Sequence, residues 1–310
     1  MRKAGQGNDG FPRRNAVSGS GNVRFAVRGM TMVHASIRTL IRPLALALAA
    51  MLAGTGSLAP QARPGGDEVD LQLVLAVDIS YSMDPEEQRL QREGYIQAIV
   101  SPEVMDAIRR GLIGKIAVTY LEWAGAHDQQ VVVGWRIIDS PASAEAFAAE
   151  LQAKPIRRAF RTSISGAITA GATLFDTSNL RSQRRVIDVS GDGANNNGAL
   201  VEPARDAALA RGITINGLPI MLKRPDARTM DIDNLDAYYH DCVIGGPGAF
   251  VIPIKAPEEF APATRRKLIL EVAAPGPSIP VPGTTFVPAQ SERVDCLIGE
   301  RMWRERWDRN

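Results

Sequence analysis

One apolar run constrains this chain more than any other feature: Val69 to Val77 reaches Asp78 and passes at once into Ile79, Ser80, Tyr81 and Ser82. A run of this length, apolar through most of its second half, suits a strand buried on both faces inside a parallel sheet. In open α/β sheets, ligands bind beyond the carboxyl ends of such strands. If the chain turns there, Asp78, Ser80 and Ser82 point into one small volume. Each offers oxygen, and no thiolate or imidazole accompanies them, so a hard cation such as Mg²⁺ suits the set better than zinc or copper. Mn²⁺ and Ca²⁺ are alternatives. The same residues also support a second reading, because Asp84, Pro85, Glu86 and Glu87 form a good helix start that Ser82 or Asp84 can cap.

The chain has 310 residues, 45% of them apolar, which is enough to bury a core. Its first part is expected to stand outside that core. After Arg38 and Arg42 comes an apolar stretch from Leu44 to Ala53, then small residues through Ala59. That order of basic flank, apolar middle and small-residue region is the pattern of an export signal. The apolar part falls short of the roughly 20 residues of a spanning helix, so membrane attachment is expected only through an uncleaved signal segment, if at all. The expected destination is periplasmic or otherwise extracytoplasmic. The expected organisation is an extension and signal over 1–62, a linker over 63–68, a single domain over 69–274 and a Pro-rich C-terminal tail over 275–310.

Residues 1–59 carry eight Lys or Arg against the single acid Asp9, so the rest of a chain whose overall charge is +2 has an excess of five acids. A mildly acidic protein without a basic cluster gives no support to nucleic-acid binding. Both cysteines, Cys242 and Cys296, lie in the part expected to be exported. An oxidising compartment favours their pairing, which would tie the tail to the domain.

Between these ends, apolar and amphipathic segments alternate. The strand candidates are 69–77, 115–122, 130–138, 184–190, 214–221 and 249–254. The helix candidates are 85–99, 102–110, 142–152, 163–175, 201–211, 233–240 and 258–272. This spacing predicts an α/β fold: a doubly wound, mostly parallel sheet with helices on both faces. The short polar turn between 115–122 and 130–138 predicts one antiparallel pair at an edge. Beyond the Pro-rich run 275–288, Trp303 and Trp307 stand at i, i+4 spacing, which reads as a short helix docking on the domain, with a partner-binding element as the alternative.

Two further segments bear on the site. Thr162 directly precedes a predicted helix, and Asp192 ends a second buried strand through Ser190 and Gly191, as Asp78 ends the first. Singly, each is an ordinary cap or turn residue. Together, Asp78, Ser80, Ser82, Thr162 and Asp192 resemble the metal-ion-dependent adhesion site of the von Willebrand factor A (vWA) domain, in which Asp-x-Ser-x-Ser is followed by a Thr and later by an Asp. The chain as a whole also resembles an uncharacterised exported bacterial family built on this domain, domain of unknown function 1194. The resemblance implies that Ser80 and Ser82 ligate the cation directly, Thr162 directly or through water, and Asp78 and Asp192 largely through water. It further implies an open coordination position that an acidic side chain of a partner protein completes. The sequence departs from the family at Phe160 and Arg161, where Gly-Gly is frequent. Tyr81, His127, Arg161 and Asn195 are candidates for the partner-facing rim.

An enzymatic rival uses the same residues. The segment from Gly191 to Asn196 is similar to the Gly-Asp-Gly motif of haloacid dehalogenase-type phosphatases, Mg²⁺-dependent enzymes that also begin with an Asp after a buried strand. Their chemistry needs a second Asp two residues later as general acid. Ser80 occupies that position here and cannot act as an acid at neutral pH. Serine hydrolysis lacks a Gly-x-Ser-x-Gly elbow. The expectation is therefore a non-enzymatic binding module, with the phosphatase and a structural envelope protein bearing a vestigial site as alternatives.

Overall fold

The computed structural model describes residues 66–223, 231–273 and 293–308. The expected signal segment, the first half of the linker and the Pro-rich run lie outside the described residues. Five strands form one sheet in the order β3-β2-β1-β4-β5, built from Glu68–Asp78 (β1), Ile116–Trp123 (β2), Gln129–Ile138 (β3), Arg181–Gly191 (β4) and Ile213–Pro219 (β5). All neighbours are parallel except β2 and β3, so the antiparallel strand sits at the edge, as the short turn between them predicts.

Strand β1 lies at the centre and is buried from Leu71 onward. Alternate side chains of a strand face opposite sides, and β1 divides accordingly. Leu71, Leu73, Leu75 and Val77 join the core beneath helices α1 (Pro85–Ile99), α2 (Pro102–Arg109), α3 (Pro141–Gln152) and α7 (Phe260–Ala273). Val74 and Ala76 join the opposite core with α4 (Ile164–Thr177), α5 (Val201–Ala210) and α6 (Leu235–Tyr238). The C-terminal helix α8 (Ile298–Asp308) docks on this second side through Ile298 and Met302. Cys242 and Cys296 form the expected disulfide, with Cα atoms 5.5 Å apart. Closing a loop of that separation, 54 residues, stabilises the fold by about 4 kcal/mol in the chain-entropy account.

Two helix starts settle alternatives left open by the sequence. Asp84 caps α1: its Oδ1 accepts from Glu87 N at 2.9 Å while Glu87 Oε2 accepts from Asp84 N at 2.8 Å, a capping box ahead of Pro85. Ser163 caps α4 by accepting from Gly166 N at 3.1 Å. Ser82 and Thr162 are thereby left out of capping.

Two expected elements differ. The segment 249–254 is not a strand of the sheet; it meets β5 only at isolated bridges, Gly217 with Val251 and Ile220 with Ile254. Pro253 lacks the N–H a ladder needs. The predicted helix over 233–240 is a single α-turn that widens into a π-turn over Tyr239–Val243.

Candidate metal centre

The register of the sheet brings the site together. Val77 pairs with Ser190 and Asp78 with Trp123, so β1 and β4 end level with each other and deliver Asp78 and Asp192 to one edge. A third loop is sewn to both. Tyr81 N donates to Ala159 O and Ala159 N to Ile79 O, each at 2.9 Å, which fixes the 159–162 segment against the Asp78 loop. Thr162 N donates to Asn196 Oδ1 at 3.0 Å and Asn196 N to Thr162 O at 2.9 Å, which fixes it to the loop after β4.

Within this frame the five expected residues converge. Ser80 N donates to Asp78 Oδ1 at 2.7 Å. The Ser80 and Ser82 hydroxyls lie 2.8 Å apart, and the Ser82 hydroxyl donates to Asp192 Oδ1 at 2.6 Å. Thr162 lines the same cleft as Ser80 and Ser82. Gly191 is required for the close approach, since a Cβ there would stand 2.7 Å from Asp78 Oδ2.

The electrostatics are unbalanced. Asp78 is fully buried, Asp192 nearly so, and Oδ2 of each has no hydrogen-bond donor. Burial, reinforced by the charge of Asp192, raises the Asp78 pKa well above the usual carboxylate range, against the hydrogen bonds from Ser80. Burial likewise pushes Asp192 up to about 7, opposed by the Ser82 hydroxyl and by Lys223. Lys223 stands 3.6 Å from Asp192 Oδ2, and its ammonium also reaches Ser82 O and Glu87. The Asp78 oxygen without a donor and the Asp192 oxygen with only Lys223 at 3.6 Å, beside two hydroxyls, fit a hard divalent cation, which would supply the missing charge without needing soft ligands. Among the described residues no cluster of three His, Cys, Asp or Glu competes for a metal.

The expected rim residues separate. Tyr81 and Arg161 line the cleft. His127 is exposed in the β2–β3 turn and does not line it. Asn195 is not on the rim: it is fully buried, accepts from Ser165 N at 3.0 Å and donates to Ala199 O and Glu300. Asn196 is the neighbour that lines the cleft. Arg161 adopts φ 78°, a left-handed conformation that glycine takes without strain, and with Phe160 and Arg161 in place of Gly-Gly Thr162 still lines the cleft. Lys223 and Trp303 were not among the expected site residues. Lys223 lies beyond β5 with no local pattern to mark it, whereas an aromatic within a highly charged C-terminal helix was a usable signal for Trp303.

Sheet order, strand-end loops and the Asp-x-Ser-x-Ser, Thr and Asp constellation give an α/β domain that resembles the vWA type. The chain belongs to the family described as Protein of unknown function (DUF1194), whose model matches residues 68–276. No curated protein matches it. Among solved structures it is similar to proximal thread matrix protein 1 from the mussel byssus, with a TM-score of 0.49 and 13% identity over 67% of this chain and 49% of that one. The chain thus spans about half the length of that protein, another structure of which has zinc in its MIDAS motif. It is also similar to a von Willebrand factor type A protein from Catenulispora acidiphila (TM-score 0.46, 15% identity, 66% of this chain and 43% of that). The vWF domain of the pilus tip protein Mfa5 from Porphyromonas gingivalis gives a TM-score of 0.44 at 11% identity, over 64% of this chain and 94% of that.

Proposed function

We propose that this chain is an exported, non-catalytic module that binds a partner protein through Mg²⁺. The observation that carries the reading is the meeting of Asp78, Ser80, Ser82, Thr162 and Asp192 around two buried carboxylate oxygens that lack donors. Neutral hydroxyls near the ion leave much of its charge unspent, so an acidic side chain from a partner is drawn to the remaining position. Export is supported by the apolar segment from Leu44 to Ala53 and by the paired cysteines. A binding role is favoured over phosphoryl transfer because Ser80 stands where the phosphatase needs an acid.

Calorimetric titration of the protein with Mg²⁺ and Mn²⁺, repeated on Asp78→Ala, tests the reading. Saturable binding that the variant loses is expected. Absence of binding by the intact protein removes the metal, and phosphatase turnover that depends on Asp78 would install the rival.

A further inference from the structure

The cleft over the metal centre is walled by aromatic side chains that the five polar residues do not explain. Tyr81 and Phe160 stack with centroids 4.4 Å apart, yet they are 47% and 74% exposed. Both line the cleft together with Ser80, Ser82 and Thr162, and the remaining aromatic wall is Trp303 of α8. Each wall carries an arginine. The Arg158 guanidinium lies 4.6 Å from the Tyr81 ring centroid and that of Arg161 lies 3.3 Å from the Trp303 centroid.

Helix α8 is fastened at this place. The disulfide from Cys296 precedes it, Glu300 accepts from Asn195 Nδ2 at 2.7 Å, and Gly299 is pressed so closely on Asn195 that a Cβ would come within 2.1 Å of its carbonyl oxygen. Arg161 holds its position on Trp303 from a left-handed backbone that glycine would adopt without strain. Strain kept at a site edge points to a use for the side chain.

We propose that the disulfide-tethered helix α8 is a working wall of the ligand cleft, and that the cleft selects an acidic segment bearing an aromatic side chain beside its carboxylate. The carboxylate meets the cation, and the neighbouring ring enters between the Tyr81–Phe160 stack and the Arg161 guanidinium that lies on Trp303. Arg161, which lines the cleft, adds positive charge that complements the acid and presents a cation to the incoming ring, while Arg158 donates to Tyr81 O and Met83 O and holds the Tyr81 wall in place. This inference rests on the cation-dependent reading above and adds to it the chemistry of the partner and the residues that choose it.

The test uses the oxidised protein in saturating Mg²⁺ and three synthetic hexapeptides, Gly-Gly-Glu-Trp-Gly-Gly and its Trp→Gly and Glu→Gln forms, titrated by NMR. The Glu-Trp peptide is expected to bind at least about fivefold more tightly than the Trp→Gly form, the scale of one added aromatic contact. The Glu→Gln form is expected to lose binding. Trp303→Ala and Arg161→Gly should each erase the preference for Trp, and calorimetry should show unchanged Mg²⁺ affinity in Trp303→Ala; glycine adopts the backbone conformation of Arg161 without strain. Equal affinity for the Glu-Trp and Trp→Gly peptides, a preference that survives both variants, or tight binding of the Glu→Gln form overturns the inference and leaves the cation reading standing. Failure of the protein to bind Mg²⁺ overturns the cation reading, and the inference falls with it.

Discussion

Strand β4 carries Asp188 within it and delivers Asp192 one residue past its end, and the protein treats the two carboxylates in opposite ways. Asp188 is fully buried beside Glu271 of α7, and Lys267 stands between them, 2.6 Å from Asp188 Oδ1 and 2.5 Å from Glu271 Oε1. Tyr95 donates to Asp188 at 3.0 Å and Asn216 to Glu271 at 3.1 Å. Asp192 is almost as deeply buried beside Asp78, yet what faces that pair is serine hydroxyls and the more distant Lys223. Where the chain supplies its own buried cation, the carboxylates are part of the scaffold. Where the chain supplies only Lys223 at 3.6 Å, the proposed ion from solution would make up the deficit.

The largest effect expected from breaking this contrast is on the scaffold side. Lys267→Met strands two buried carboxylates and should lower stability by about 3–5 kcal/mol, the cost of removing one partner from a buried ion cluster. Chemical denaturation measures it; a loss below 1 kcal/mol would mean that the cluster is not held by its lysine. At the metal centre the effects should separate from stability. Asp78→Asn keeps the shape and removes an unbalanced charge, so the metal-free protein should be at least as stable as the parent while Mg²⁺ affinity falls by about 100-fold or more. Destabilisation matching that of Lys267→Met would show that Asp78 too is scaffold.

Gly191→Ala probes the boundary between the two regions, because its methyl group would push on the unpaired oxygen of Asp78. A fall of about tenfold in Mg²⁺ affinity is expected, with a stability loss of about 1–3 kcal/mol for overpacking.

The same contrast extends to pH dependence. Asp192 titrates at about 7 in the folded protein against an ordinary value of 3.8, so the folded state holds its proton more tightly than the unfolded chain does. Stability of the metal-free protein should therefore fall as pH rises from about 4 to about 7. Glu271, also pushed up to about 7 by burial despite Lys267, contributes in the same direction. Saturating Mg²⁺ should remove the Asp192 share and leave the Glu271 share. A melting profile with the same slope with and without Mg²⁺ would assign the whole dependence to the scaffold cluster.

Much of the fold and of the site was legible because it is encoded locally. β1 is a largely apolar run that ends in Asp78, the buried half of β4 is followed at once by Asp192, the β2–β3 pair is joined by a short turn, and the five donors stand at or just beyond strand ends or before a helix. Local pattern failed where a single residue vetoed it or where depth mattered. Pro253 broke the expected sixth strand into bridges, and Asn195 and Asn196, adjacent and chemically identical, went one inward and one to the cleft. Lys267 and Glu271 stand at the i, i+4 spacing common to surface ion pairs, and nothing in that spacing records that both side chains are fully buried.

By itself, the sequence determined that two buried strands would present oxygen donors at their carboxyl ends, since strand burial and turn chemistry act over a few neighbouring residues. Only the tertiary structure decided which donors cap helices and which face the cleft. It also decided which carboxylates receive a lysine and that Trp303 stands beside the site. Those outcomes depend on partners far apart in the chain, such as Ser82 and Asp192 at a separation of 110 residues. Sheet register and helix docking set those distances, and no local periodicity records them.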